Sequence, residues 1–201
     1  MTAREAILAS IRARRSAQAP RPAPYRAPAV QGDLVESFAA KLSAQYADVR
    51  RLTSMMEVPG AIADILRGRN MAPVVHIPPD GELAVLHLGA VEVKREPPGQ
   101  GDAALTRAPF AIAATGTLAY PSGKGAPASW HFRPELEIVV LRESDVVAEF
   151  EDVLRALEAK GGLPATLNLV SGPSRTGDIE QTMELGAHGP KALAVLVVRG
   201  R

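Results

Sequence analysis

The sequence predicts an α/β fold, with a largely parallel sheet covered by helices on both faces. Three observations carry that expectation. Apolar runs rich in Val, Leu and Ile stand at residues 110–114, 137–141, 166–170 and 192–198. They read as continuous runs rather than alternating ones, the pattern of strands buried on both faces. Amphipathic segments with helical spacing, near 34–50 and 146–159, alternate with these runs, as they do in layered α/β domains. A chain of 201 residues that is 46% hydrophobic suits one core, with no internal repeat.

Thr2-Ala-Arg-Glu5 is a capping box that opens a helix striped by Ile7, Leu8 and Ile11. The segment Ala19 to Pro28 holds four prolines and favours extended chain. Residues 1–32 therefore read as an arm, a short helix on a stiff linker, and residues 33–201 as the main domain. There, Leu34, Val35, Phe38, Leu42, Tyr46 and Val49 recur at helical spacing. A second helix has Pro59 in its first turn, a stripe of Val58, Ile62, Ile65 and Leu66, and Gly68 at its end. Pro73 to Ile77, Ala84 to Leu88 and Val91 to Val93 are short strand candidates, and residues 97–102 form a loop. Phe110 to Ala114 and Thr117 to Tyr120 are strand pieces around Thr115-Gly116. Glu137 to Leu141 is a strand. Val146, Val147, Phe150, Val153, Leu154 and Leu157 mark a helix stopped by Gly161-Gly162. Thr166 to Val170 and Ala192 to Val198 complete a sheet expected to hold 74–77, 110–114, 137–141, 166–170 and 192–198 together.

Composition removes several function classes. Without cysteine, the chain holds no disulfide, no Cys-ligated zinc and no iron–sulfur cluster of its own, so no cofactor is expected in it. The net charge of +1, mixed along the chain, gives no electrostatic case for nucleic acid. Arg4, Arg12, Arg14, Arg15, Arg21 and Arg26 make a basic arm that could touch RNA or an anionic membrane, but without interleaved aromatics they read better as a solvated, dipole-compensating helix end. No run of about 18 apolar residues exists to span a membrane. The N-terminus lacks a signal-type apolar core, so the expected location is the cytoplasm.

The chemistry concentrates in Ser171 to Glu180. This segment follows a buried-type strand and precedes Ile179, Met183 and Leu185, which suit the inner face of a short helix. Ligands of open α/β sheets bind outside the carboxyl ends of strands, and a helix start favours an anion. Arg175 can fork onto a carboxylate or phosphate. The same small polar residues also make ordinary turns and caps. Thr115, Gly116 and Thr117 form a strand-end loop that suits an oxyanion or a plain tight turn. Lys124, in Ser122-Gly-Lys-Gly125, is a possible anion partner outside any Walker motif. His76 and His87 read as core histidines. His188, in a Gly/Pro turn, is the weak candidate for an acid–base role. Asp178 and Glu180 suit dipole compensation better than catalysis. Trp130, beside His131, walls a pocket or fills the core. The expected ligand cleft gathers Thr115, Gly116, Thr117, Ser171, Gly172, Ser174, Arg175, Thr176, Asp178 and His188, and includes no metal ligand.

Ser171-Gly-Pro-Ser-Arg-Thr-Gly-Asp-Ile-Glu180 closely resembles the SGPSRTADIE segment of the LUD domain family, lactate-utilisation protein C type. Phe110 to Leu118 and Leu185 to Pro190 resemble the FAIAETGTL and LGVHGP blocks of the same family. The similarity runs from about residue 33 to the C-terminus. The chain departs from the family with Gly177 for Ala, Ala114 for Glu, and Glu137 where His is frequent. The resemblance implies a three-layer α/β/α Rossmann-like domain of the NagB/RpiA/CoA-transferase-like group. It also implies an accessory or ligand-binding subunit in the oxidation of L-lactate to pyruvate, with iron–sulfur proteins as partners and a small organic acid or phosphate as ligand. The alternative is a stand-alone enzyme of that fold group, acting on a small phosphorylated or carboxylated metabolite.

Overall fold

Two adjacent strands, β7 (Leu136–Arg142) and β12 (Ala192–Val198), form the centre of the molecule, each with six buried residues. The computed structural model describes residues 2–14, 22–23, 29–79, 81–123, 127–177, 183–185 and 189–200. Around this centre runs a six-stranded, wholly parallel sheet in the order β1-β12-β7-β4-β2-β3. Its other strands are β1 (Asp48–Leu52), β2 (Val74–His76), β3 (Glu92–Lys94) and β4 (Ala103–Arg107). Along β7 and β12, successive residues feed two different cores. Leu136, Ile138, Val140, Ala194, Leu196 and Val198 face α3 (Val58–Gly68) and α4 (Gly81–Ala84). Val139, Leu141, Leu193, Val195 and Val197 face α2 (Leu34–Ala44) and a second, smaller sheet. Apolar residues on both faces explain the unbroken runs read in the sequence. Burying each of these Val, Leu and Ile side chains stabilises by about 1.5–3 kcal/mol.

The smaller sheet has the order β8-β5-β6-β9, from β5 (Phe110–Ile112), β6 (Thr117–Pro121), β8 (Val146–Val147) and β9 (Leu167–Val170). Its β5–β6 and β6–β9 pairings are antiparallel. Its outer face is covered by α6 (Phe150–Ala159) through Val153 and Leu157. The remaining elements are α1 (Ala3–Arg14), the short α5 (Ser129–Phe132), and the antiparallel hairpin of β10 (Arg175–Gly177) and β11 (Met183–Leu185).

The α/β class and the parallel sheet with helices on both faces match the sequence expectation. Membership of the sheet needs correction. Residues 110–114 and 166–170 contribute to the smaller sheet, because Gly116, at φ 66°, reverses the chain and folds β6 back on β5. Their places in the main sheet are taken by β1 and β4. The expected strand at 84–88 is absent, and α4 ends at Ala84. Met183 and Leu185 lie in a strand rather than on a helix, so no helix begins at residues 175–177. Val146 and Val147 form β8, and the helix after them starts at Phe150, with the Glu149 N–H donating to Asp152 Oδ2 at 2.9 Å.

Helices α2 and α3 end in the same way. After α2, the Tyr46 N–H donates to Ser43 O and the Ala47 N–H to Leu42 O. After α3, the Asn70 N–H donates to Arg67 O and the Met71 N–H to Leu66 O. These are Schellman closures, whose central residue must be left-handed; φ is 69° at Tyr46 and 53° at Asn70. Helix α2 thus stops at Ala44, short of the predicted residue 50.

The capping box of α1 is formed, with Thr2 N–H donating to Glu5 Oε2 at 2.7 Å and Glu5 N–H to Thr2 Oγ1 at 3.3 Å. No residue of α1 is buried. Of the linker 19–28, only residues 22–23 fall among those described. Deleting residues 1–14 should therefore move Tm by less than about 2 °C, since nothing buried is lost. A calorimetric scan of the shortened chain checks this, and a fall of about 5 °C or more would show that the arm supports the domain.

Candidate functional site

The site is built on the end of α2. The turn between β5 and β6 is clamped there. Lys41 Nζ donates to Ala113 O at 3.1 Å and Ala114 O at 2.7 Å, and Ser37 Oγ donates to Ala113 O at 3.3 Å. Gly116 closes the turn, its N–H donating to Ile112 O at 2.9 Å. A Cβ on Gly116 would lie 2.7 Å from both Leu42 N and Lys41 Cβ, so only glycine fits against the helix.

This clamp aligns three hydroxyls. Thr115 Oγ1 lies 2.7 Å from Thr117 Oγ1, which lies 2.7 Å from Ser171 Oγ. Ser171 follows β9, the antiparallel neighbour of β6. The next residue, Gly172, has φ 139°, and a Cβ there would meet Gln45 O at 2.8 Å. The loop therefore rests backbone to backbone on the end of α2. Ser174 N–H then donates to Pro190 O at 2.8 Å, and Gly189 packs against Ser174 and Phe132. Arg175 lies over the Tyr46 ring, its guanidinium carbon 3.5 Å from the centroid.

Of the residues expected in one cleft, Thr115, Thr117 and Ser171 meet through hydrogen bonds, Gly116 and Gly172 pack on the end of α2, Ser174 bonds Pro190 and Arg175 lies over Tyr46. Thr176 lies in β10 opposite Glu184. Asp178, His188, Glu180 and Lys124 lie outside the described residues. One feature of the expected position is corrected. The cluster stands at the carboxyl end of β9, but for the main sheet it lies on the amino side, against the approaches to β1 and β12. The small sheet's reversed β6 turns the loops toward that edge. Beside the cluster is a cavity of about 420 Å³ lined by Gln100, Phe132, Arg133, Glu135, Gly189 and Lys191, among others. Phe132 and Gly189 join it to Ser174.

Behind that edge lies a polar group that sequence reasoning missed. Glu137, fully buried on β7, accepts from Thr106 Oγ1 at 2.7 Å, and its Oε1 lies 2.7 Å from His131 Nδ1. Tyr120 stacks on the buried His131 ring with centroids 3.9 Å apart. Burial first, then the Glu137 charge, hold the Tyr120 phenol well above its ordinary value. Trp130 is buried beside this group as core. The sequence signal was a Glu set inside an apolar strand, Leu136 to Leu141. His76 is the satisfied core histidine expected, its Nδ1 2.8 Å from Glu96 O, whereas His87 is exposed.

Comparison with known proteins bears on the whole of this geometry. The LUD domain profile matches residues 35–198. A lactate utilization protein C of Deinococcus radiodurans is 32% identical over 185 residues, 88% of this chain and 85% of that one. Another, of Halalkalibacterium halodurans, is 34% identical over 106 residues, 51% of this chain but only 46% of the relative's length. The crystal structure of a DUF162 family protein from Deinococcus radiodurans superposes with a TM-score of 0.61 at 26% identity, covering 85% of this chain and 99% of that one.

Proposed function

The chain belongs to the LUD domain family, and from that membership we propose that it is an accessory, ligand-binding subunit of a lactate-utilisation system. Its ligand is a small organic acid or phosphate held beside Arg175. Its partners are iron–sulfur proteins that carry the electrons of L-lactate oxidation to pyruvate, in the cytoplasm. Among the described residues no helix is long and apolar enough to cross a membrane.

The observation that supports this best is convergence. Stretches far apart in sequence, 113–117, 171–175 and 189–190, meet through the Thr117–Ser171 and Ser174–Pro190 hydrogen bonds. Three clustered hydroxyls, with a guanidinium four residues along the Ser171 loop, are groups able to hold an oxyanion. The chain has no cysteine to hold an iron–sulfur cluster, which accords with clusters carried by partner proteins. Relatives named for lactate utilisation support the system assigned.

Calorimetric titration with lactate, pyruvate, CoA esters and sugar phosphates tests the proposal. Arg175→Ala should weaken binding by about 2–3 kcal/mol, roughly 30- to 150-fold. The purified chain should not oxidise lactate by itself. Turnover of a CoA ester or sugar phosphate by the isolated chain would replace this reading with that of a stand-alone enzyme.

A further inference from the structure

We propose that Tyr46 is a positioning residue that presents Arg175 as a one-sided fork, and that the site so built takes a carboxylate monoanion in preference to phosphate. The proposal rests on the reading of residues 171–175 as the ligand site.

The starting point is a residue in an unfavourable place. The closure of α2 requires a left-handed residue at position 46, where glycine is usual and a bulky side chain is strained. Helix α3 meets the same requirement with Asn70, a residue type that tolerates it. Helix α2 has a tyrosine there, at φ 69°. Core packing does not offset the strain, because the residue is 67% exposed. What the ring does touch is the Arg175 guanidinium, at 3.5 Å. Strain held at a solvent-facing position is the kind that accompanies a site.

A second feature fixes the same relation. Gly172 lets the loop backbone rest on Gln45, the neighbour of Tyr46, where a Cβ would meet Gln45 O at 2.8 Å. The helix end and the arginine loop are therefore held in register from both sides. With one face of the guanidinium on the ring, its N–H edge is left for an in-plane partner. Among the described residues no carboxylate lies within ion-pair distance of it.

The charge balance selects the anion. Lys41 is committed to the carbonyls of Ala113 and Ala114. The three hydroxyls are neutral. Residues 175–177 form a strand, so the helix start that would assist a phosphate is absent from that position. Among the described residues of the 113–117 and 171–175 stretches, one guanidinium and neutral donors match a single negative charge and a planar pair of oxygens.

The test uses the full chain, with pyruvate and inorganic phosphate as probes. Calorimetry should show phosphate binding at least about tenfold weaker than pyruvate, since the single fork leaves its second charge unmatched. Tyr46→Phe should keep pyruvate affinity within about twofold, and Tyr46→Leu should lose roughly two- to fivefold. Tyr46→Gly should lose as much while melting no lower than the parent, because it removes the strain. The ¹⁵N heteronuclear NOE of the Arg175 Nε–Hε group, read without ligand, should be high in the parent and Tyr46→Phe and fall in Tyr46→Leu. An unchanged NOE in Tyr46→Leu overturns the positioning role, and phosphate binding as tight as pyruvate overturns the preference. If neither anion binds, the ligand-site reading falls and takes the preference with it, while the NOE still decides the role of Tyr46.

Discussion

Gly116→Ala should destabilise the protein by about 3 kcal/mol or more, lowering Tm by roughly 6–12 °C. Two costs combine. The residue is held at φ 66°, which alanine adopts only under strain. The added Cβ would also lie 2.7 Å from Leu42 N and from Lys41 Cβ. The first is backbone inside α2, so no side-chain rotation relieves that contact. The turn must lift off the helix, and the Lys41 bonds to Ala113 and Ala114 go with it. Gly60→Ala is the internal control. It lies within α3 with nothing within 4 Å of a Cβ, so alanine should stabilise by up to about 1 kcal/mol. Urea unfolding of both variants checks the pair, and a loss under about 1 kcal/mol at Gly116 would refute the close packing of the turn.

Glu137→Ala should cost about 2–5 kcal/mol, the usual penalty for opening a cavity and stripping buried polar groups of their hydrogen-bond partner. The carboxylate is the acceptor for Thr106 and the partner of His131 Nδ1, each at 2.7 Å. Both residues are buried, so water cannot take its place. The pair is itself incomplete, with His131 Nε2 lacking a hydrogen-bond partner among the described residues. Apolar replacement of both members, His131→Phe with Glu137→Leu, should therefore recover most of the loss. Denaturant titration of the single and double variants decides the matter, and additive losses would refute the coupling. Tyr120 adds a pH dependence. Its folded value lies above the ordinary 10.0, so stability should fall as pH rises past 10 and the unfolded phenol ionises first.

Much of this architecture was legible because burial on two faces leaves unbroken apolar runs. β7 and β12 were found that way, and α6 was found by its stripe, apart from its start. β1 was hidden because Asp48, Arg50 and Arg51 sit on a half-exposed edge, and Val49 falls in phase with the stripe of α2. β4, with its two alanines, has weak strand propensity. Tyr46 likewise keeps helical phase with Phe38 and Leu42, although the helix has already closed beneath it. The hydroxyls and Arg175 were legible as types, although the same residues also make ordinary turns and caps, and their contacts with one another and with Tyr46 were not. The Glu137–His131 contact was not, because no periodicity links a helix residue to a strand residue six positions on. The hairpin of β10 and β11 was misread because Met183 and Leu185 suit either period.

The place of β12 has a bearing on how the chain is made. This strand follows every other described strand in sequence, yet it sits between β1 and β7 and is the only neighbour of β1 among the described residues. During synthesis, β1 and one flank of β7 must wait as open edges until residues 192–198 have left the ribosome. Each open edge is a template for pairing with another chain. Contacts between such distant segments also form slowly. The period before β12 arrives therefore leaves two strand edges open to aggregation.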